Sequence, residues 1–340
     1  MSYMGPARLH WADSAKAIAV ILVVLYHVSP TALGWMLEES NQASTYTSAL
    51  SQRLSPVRMP LFFLVSGLLS RRAVQRSWST EIPKKVLNLF WVFFFWTLFY
   101  AGFYVVAMDL TGIQRLRPFV WSINFDGAYW YLPMLAIFFI VSKALRRVNV
   151  LWILLGALLL RMLAVNPFMA EGFIFFDLGT TILRFMTFFM WYAVGLFGVK
   201  TVDLLVNASK YLWIPAITIY AYIGLFAYPE DLGKLYSLAL SVVGIVAMLG
   251  VVQILVMSRW LRKLFRYVAG RTLPIYLFHA LILVIARGQF DSIDSLSVPQ
   301  TYLLVFGLTA FLVAVSCLAW DVLRPRFPLL FRAPSLKRNS

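Results

Sequence analysis

Residues 13–27 read DSAKAIAVILVVLYH, an apolar run from Ala17 to Tyr26 framed by Asp13, Lys16 and His27. An aspartate or lysine near the middle of a helix in hydrocarbon costs about 2.5–3.5 kcal/mol on insertion scales. The run is a membrane span only if something other than lipid surrounds its polar groups. At 100° per residue, Lys16 and His27 fall within about 20° of each other on one helix face, roughly 16 Å apart along the axis. Asp13, three residues before Lys16, can pair with it. A lone histidine in a helix is most often a hydrogen-bonded packing residue. A cation and a histidine on one intramembrane face point instead to the lining of a cavity.

The rest of the chain sets the context. Of 340 residues, 61% are hydrophobic and only 13% charged, about half the charge of a soluble protein. The mean hydropathy is +0.79. Apolar runs recur along the whole length, which predicts an all-α polytopic membrane protein forming one domain over 1–340. About ten spans are expected: 13–30, 55–70, 86–108, 128–142, 148–165, 181–198, 211–227, 235–257, 272–287 and 301–320. The polar lead-in is long and no small-x-small site follows Tyr26, so the first span is expected to stay uncleaved. Cys317 is the single cysteine. It excludes an intrachain disulfide and a cysteine-based metal site, and no metal is expected.

The net charge of +16 could suit a nucleic-acid partner, but the bases cluster in short connections between apolar runs, as orientation signals do. No nucleic-acid binding is therefore expected. One set of connections holds Arg71, Arg72, Arg76, Lys84 and Lys85, then Lys143, Arg146 and Arg147, then Lys200 and Lys210. It continues with Arg259, Arg262, Lys263, Arg266 and Arg271, and ends with Arg324, Arg326, Arg332, Lys337 and Arg338. The alternate connections hold only Arg53, Arg115, Arg117, Lys234 and Arg287. The bias puts both termini in the cytoplasm and makes 31–54 and 109–127 the longer outer loops. Within 258–271, SRWLRKLFRYVAGR sets apolar residues on one face and bases on the other, the pattern of a helix lying against membrane lipids.

With that topology, Arg58, Arg161 and Arg184 share the outer side with His27, and Glu38, Glu39, Glu171 and Asp177 are the acids there. Each arginine can snorkel to the interface; together they form a candidate basic site at the mouth of a cavity. No carboxylate sits centrally in a span, which argues against a proton-relay transporter. In RMPLFFLVSGLLSRR (58–72), Gly67 permits close helix approach and Ser66 can bond across helices. Ser66 lacks the GxSxG elbow of a nucleophile. His279, in the middle of its span, is expected to be structural, bonded to a neighbouring helix, with a catalytic role as the alternative.

Arg8, Asp13, Lys16 and His27 form R-x4-D-x2-K-x10-H, followed by MPLFFLVSG (59–67), AYWYLPMLAIFF (128–139, with Trp130), FFMWYAVGLFG (188–198) and LPIYLFHALIL (273–283). In this order the motifs resemble the acyltransferase-3 family of integral-membrane acyltransferases, particularly the branch similar to fucose 4-O-acetylases. The resemblance implies a cytoplasmic acyl-CoA donor, most often acetyl-CoA, and a hydroxyl acceptor on a surface or secreted glycan or a lipid-linked sugar. It also implies the bacterial inner membrane. The family's cation-x10-His motif maps onto Lys16 and His27, with lysine where many members have arginine, and the family's R-x2-R pair is reduced to Lys85 and Asn88. In this reading Lys16, supported by Asp13, joins Arg71, Arg72, Lys84 and Lys85 to hold the coenzyme A phosphates. His27 is the general base, and one of Arg58, Arg161 or Arg184 stabilises the oxyanion, a role worth roughly 3–4 kcal/mol. A transient acyl-histidine is the rival mechanism. The rival function is a transporter or flippase for a lipid-linked sugar, whose inverted repeat with matched broken helices is not visible in the sequence.

Overall fold

The computed structural model describes residues 10–29, 42–164, 179–226, 233–287 and 296–334, and all regular elements within them are helical. The principal helices are α1 (His10–His27), α2 (Gln42–Arg53), α3 (Ser55–Gln75), α4 (Trp78–Ala107), α5 (Arg117–Asn124), α6 (Tyr131–Ala144) and α7 (Val150–Leu163). They continue with α8 (Gly179–Phe197), α9 (Val199–Phe226), α10 (Lys234–Leu255), α11 (Arg259–Ala269), α12 (Thr272–Ala286) and α13 (Val298–Arg326). Starts follow local chemistry. Asn149 accepts the Leu151 N–H before α7, and Ser297 with Gln300 forms a capping box before α13, each satisfying amides that the first turn leaves free.

All ten expected segments fall in helices as far as the described residues extend, but their boundaries and lengths differ. By length and composition, α4, α8, α10 and α13 can each cross a membrane. Two bent pairs raise the number to six: Gly112–Tyr129 with Tyr131–Arg147, bent by 87°, and Arg259–Ala269 with Thr272–Ala286, bent by 70°. Residues 109–127, expected as an outer loop, therefore contain α5 and part of a broken helix. The expected connection around Lys200 and Lys210 is instead the first half of α9, a single helix of 28 residues.

The two helices that carry the expected chemistry, α1 and α3, are too polar to meet the same test, and their surroundings explain why. Ala15, Ala17, Ala19, Val20 and Val24 of α1 are fully buried, as are Leu61, Phe63, Leu64 and Val65 of α3. These helices are solvated by protein, so a polar residue on them faces other side chains and not acyl chains. Glycine sets the closest contact. A side chain on Gly67 would collide with the Tyr192 carbonyl, and one on Gly195 with the Leu64 carbonyl, so α3 and α8 cross backbone to backbone.

Lys143 also has a structural role beyond its charge. It is 1% exposed, and its ammonium donates to the carbonyls of Val74, at 3.0 Å, and of Arg76. It thereby closes the C-terminal end of α3. On α11, Val268 and Ala269 are buried while Trp260 is 68% exposed, and Arg259, Lys263 and Arg266 are exposed beside it. That arrangement suits a helix half sunk in a headgroup layer.

Candidate active site

A cavity of about 370 Å³ opens between α1, α3, α4, α6, α8 and α12. One end is basic, lined by Lys16, Lys84 and Lys85 with Asn88. Local structure brings these together: Pro83 cannot donate its backbone nitrogen, and Ile82–Leu87 winds as a π-turn that carries both lysines at the entry to α4. The Lys16 ammonium lies 3.5 Å from the Ala269 carbonyl at the end of α11, within electrostatic range of Asp13 and Lys85. Arg71 and Arg72, expected at the same place, are exposed and do not line the cavity.

The far end is aromatic and hydroxylated. Ser66 and Tyr131 share a hydrogen bond of 2.6 Å between their oxygens. The Tyr276 hydroxyl accepts from the Tyr131 amide at 3.2 Å and donates to the Ala128 carbonyl at 2.9 Å. Tyr129 donates to the Leu277 carbonyl at 2.9 Å. These bonds sew α12 to the break before α6, where a backbone carbonyl and an amide would otherwise lack partners.

Immediately behind Tyr276 lies a histidine pair. The Tyr276 and His279 ring centres are 6.0 Å apart, and His279 Nε2 is 3.4 Å from His27 Nδ1. His27 Nδ1 lies 2.9 Å from the Val23 carbonyl, and His279 Nδ1 lies 2.8 Å from the Ile275 carbonyl. A carbonyl only accepts, so each Nδ1 carries a proton, and in the neutral rings each Nε2 is the bare nitrogen. His279, expected to bond a neighbouring helix, is fully buried, and the neighbour it meets is the residue expected to act as base. The meeting joins helices 252 residues apart in the chain. The one sequence signal for it was that both histidines interrupt apolar spans.

The three arginines divide. Arg58 is 7% exposed; its guanidinium sits 3.8 Å over the Tyr26 ring, and that ring packs edge-on to His27 with centres 5.1 Å apart. Arg184 pairs with Asp126 at 2.6 Å, lies 4.6 Å over Trp130 and is within electrostatic range of Tyr276. Arg161 is spent on packing: it donates to the Thr187 carbonyl at 2.9 Å and to the Ser237 hydroxyl at 3.3 Å, bracing α7 against α8 and α10. The expected convergence of all three on His27 is corrected to Arg58 beside it, with Arg184 near Tyr276 and separated from His27 by the Tyr276 and His279 rings. Arg8, Glu38, Glu39, Glu171 and Asp177 lie outside the described residues. Among the described residues no group of three or more His, Cys, Asp or Glu could hold a metal ion.

Residues 9–321 match the family model described as "Acyltransferase domain". The chain is also similar to the inner membrane protein YcfT of Escherichia coli (strain K12), with 32% identity over 87 residues, or 24% of each chain. That match covers about a quarter of the relative's length. No solved structure matches the chain. With nearly its whole length covered, the chain belongs to the acyltransferase-3 family of integral-membrane acyltransferases.

Proposed function

From this membership, we propose that the protein is an O-acyltransferase of the fucose 4-O-acetylase-like branch. It moves an acetyl group from cytoplasmic acetyl-CoA to a hydroxyl of a surface or secreted glycan, or of a lipid-linked sugar. The inner-membrane relative and the charge bias of the connections support a bacterial inner-membrane location with both termini cytoplasmic. The observation that carries the reading is an alignment of cavity and base. The cavity joins Lys16, Lys84 and Lys85 to a floor at Tyr131 and Tyr276, and the histidine pair, which does not line the cavity, lies behind that floor.

The phosphates of coenzyme A bind the lysines by charge-assisted hydrogen bonds. The pantetheine arm occupies the cavity, and the Tyr131–Tyr276 floor shifts to admit the thioester. His27 Nε2 takes the proton of the acceptor hydroxyl, whose oxygen attacks the thioester carbonyl. Arg58, the guanidinium packed nearest His27, stabilises the oxyanion. When the carbon–sulfur bond breaks, the leaving thiolate recovers the proton from Nε2. The two broken helix pairs are the one feature that favours a lipid-linked sugar transporter, and that reading gives the lysine-to-histidine alignment no task.

The test is purified protein incubated with labelled acetyl-CoA and candidate polysaccharides, followed by analysis of the glycan. Label in an ester on the sugar supports the reading. Glycan translocation without ester formation would overturn it.

A further inference from the structure

The alignment of lysines, cavity and His27 leaves one buried polar side chain without a task. His279 has no exposed surface, and its Nδ1 proton is already bonded to Ile275. Its Nε2 therefore presents a lone pair, and that lone pair faces His27 Nδ1 at 3.4 Å, with ring centres 5.0 Å apart. His27 Nδ1–H consequently has two acceptors, the Val23 carbonyl of its own helix and the imidazole of α12.

We propose that His279 is the positioning residue of the base: it fixes the His27 tautomer and orientation and shares the positive charge that His27 gains during transfer. The proposal rests on the reading of His27 as the base. The geometry makes the need concrete. When Nε2 takes the acceptor's proton, His27 becomes an imidazolium in a site already holding the Arg58 cation on the adjacent Tyr26 ring. His27 is half-buried and its neighbour His279 fully buried, and like charges repel strongly where water is scarce. A neutral imidazole whose lone pair meets Nδ1–H offsets that repulsion and adds no charge of its own. A carboxylate would do the same task, but burying one between apolar helices costs far more. The proton itself stays on His27: it arrives at Nε2 from the hydroxyl and leaves from Nε2 to the thiolate, while Nδ1–H is held throughout.

A second consequence follows from which helix carries His279. Thr272, Leu273 and Tyr276 of α12 line the donor cavity, so the element touched by the donor is the one that orients the base.

The experiment compares His279→Leu with His279→Gln in the full-length protein, measuring acetyl transfer and acetyl-CoA affinity side by side. Leucine keeps volume and removes the acceptor; the glutamine amide oxygen reaches the Nε2 position. Expected is a roughly 10–100-fold fall in kcat for His279→Leu, the scale of one lost charge-assisted bond, with KM and donor affinity near normal. His279→Gln should recover most of the loss. Normal turnover in His279→Leu, or equal losses in both variants, overturns the proposal in favour of packing. If His279→Leu fails to bind donor because it misfolds, His279→Asn replaces it, since its amide ends one methylene short of the Nε2 position. An asparagine variant as active as the glutamine one also overturns the proposal. The underlying reading fails separately, by persistent activity in His27→Ala.

Discussion

The two ends of the proposed path are built in opposite ways. At the basic mouth, Lys84 and Lys85 are exposed, long and flexible, and three cations share one task. At the other end, His27 and His279 are fixed by carbonyl bonds of 2.9 and 2.8 Å, and one imidazole faces another at a single distance. Charge summed over mobile side chains is tolerant, because a neighbour can take over a lost contact and water screens the remainder. A proton-transfer site is intolerant, because a base works only within hydrogen-bond reach of the proton it removes. The mouth should thus fail gradually and the histidine end abruptly.

The sharpest way to break this comparison is His27→Ala. General-base catalysis typically contributes about 10²–10⁴-fold, so turnover should fall by that factor. Acetyl-CoA binding should persist, because Lys16 lies roughly 16 Å away along α1 and Lys84 and Lys85 lie at its end of the cavity. A folded His27→Ala protein with near-normal transfer would remove the abrupt end altogether. Next in size is Arg58→Leu, where loss of an oxyanion donor should lower kcat about 10²–10³-fold with donor affinity kept. Single-turnover kinetics would separate this from weaker binding, which would make Arg58 a binding residue instead.

At the mouth, effects should be smaller and graded. Lys16→Ala alone, and Lys84→Ala with Lys85→Ala, should each weaken acetyl-CoA binding by roughly tenfold. The loss at exposed Lys84 and Lys85 should shrink at high salt, and that at half-buried Lys16 should shrink less. Titration calorimetry at two ionic strengths checks this, and unchanged affinity in both variants would discard the donor site. Arg71→Ala with Arg72→Ala is the internal control, because neither side chain lines the cavity; its donor affinity should stay within about threefold of wild type. The smallest change in chemistry is expected from Arg161→Met. It removes the bonds to the Thr187 carbonyl and the Ser237 hydroxyl and should cost about 1–3 kcal/mol of stability. A thermal melt should show that loss while kcat per folded molecule stays level. A large kcat loss in a stable Arg161→Met protein would return Arg161 to the site.

Much of this molecule was legible in the chain, unevenly. Lys16 and His27 could be aligned because both lie on one helix, where the 3.6-residue period fixes their relative direction. Lys84 and Lys85 could be grouped with Lys16 because the alternation of basic connections sorts residues by side, and all three line one cavity. The same reasoning grouped Arg58, Arg161 and Arg184, yet their partners proved different. Helix bounds departed from the expected segments around 109–127 and along α9, while α1 and α3 are polar for membrane helices because fully buried neighbours surround them.

The sequence by itself therefore determined an all-helical membrane protein and the alignment of Lys16 with His27 along α1. Hydropathy and charge act along the membrane normal, so they report depth and little else. Which helix faces which is a choice about rotation and neighbour, made by packing. The Gly67–Gly195 crossing draws α3 onto α8, Tyr276 and Tyr129 bond α12 to the break before α6, and His279 arrives beside His27 from 252 residues away. Only the tertiary structure could decide those meetings, because each depends on the shapes of two surfaces and not on the composition of either.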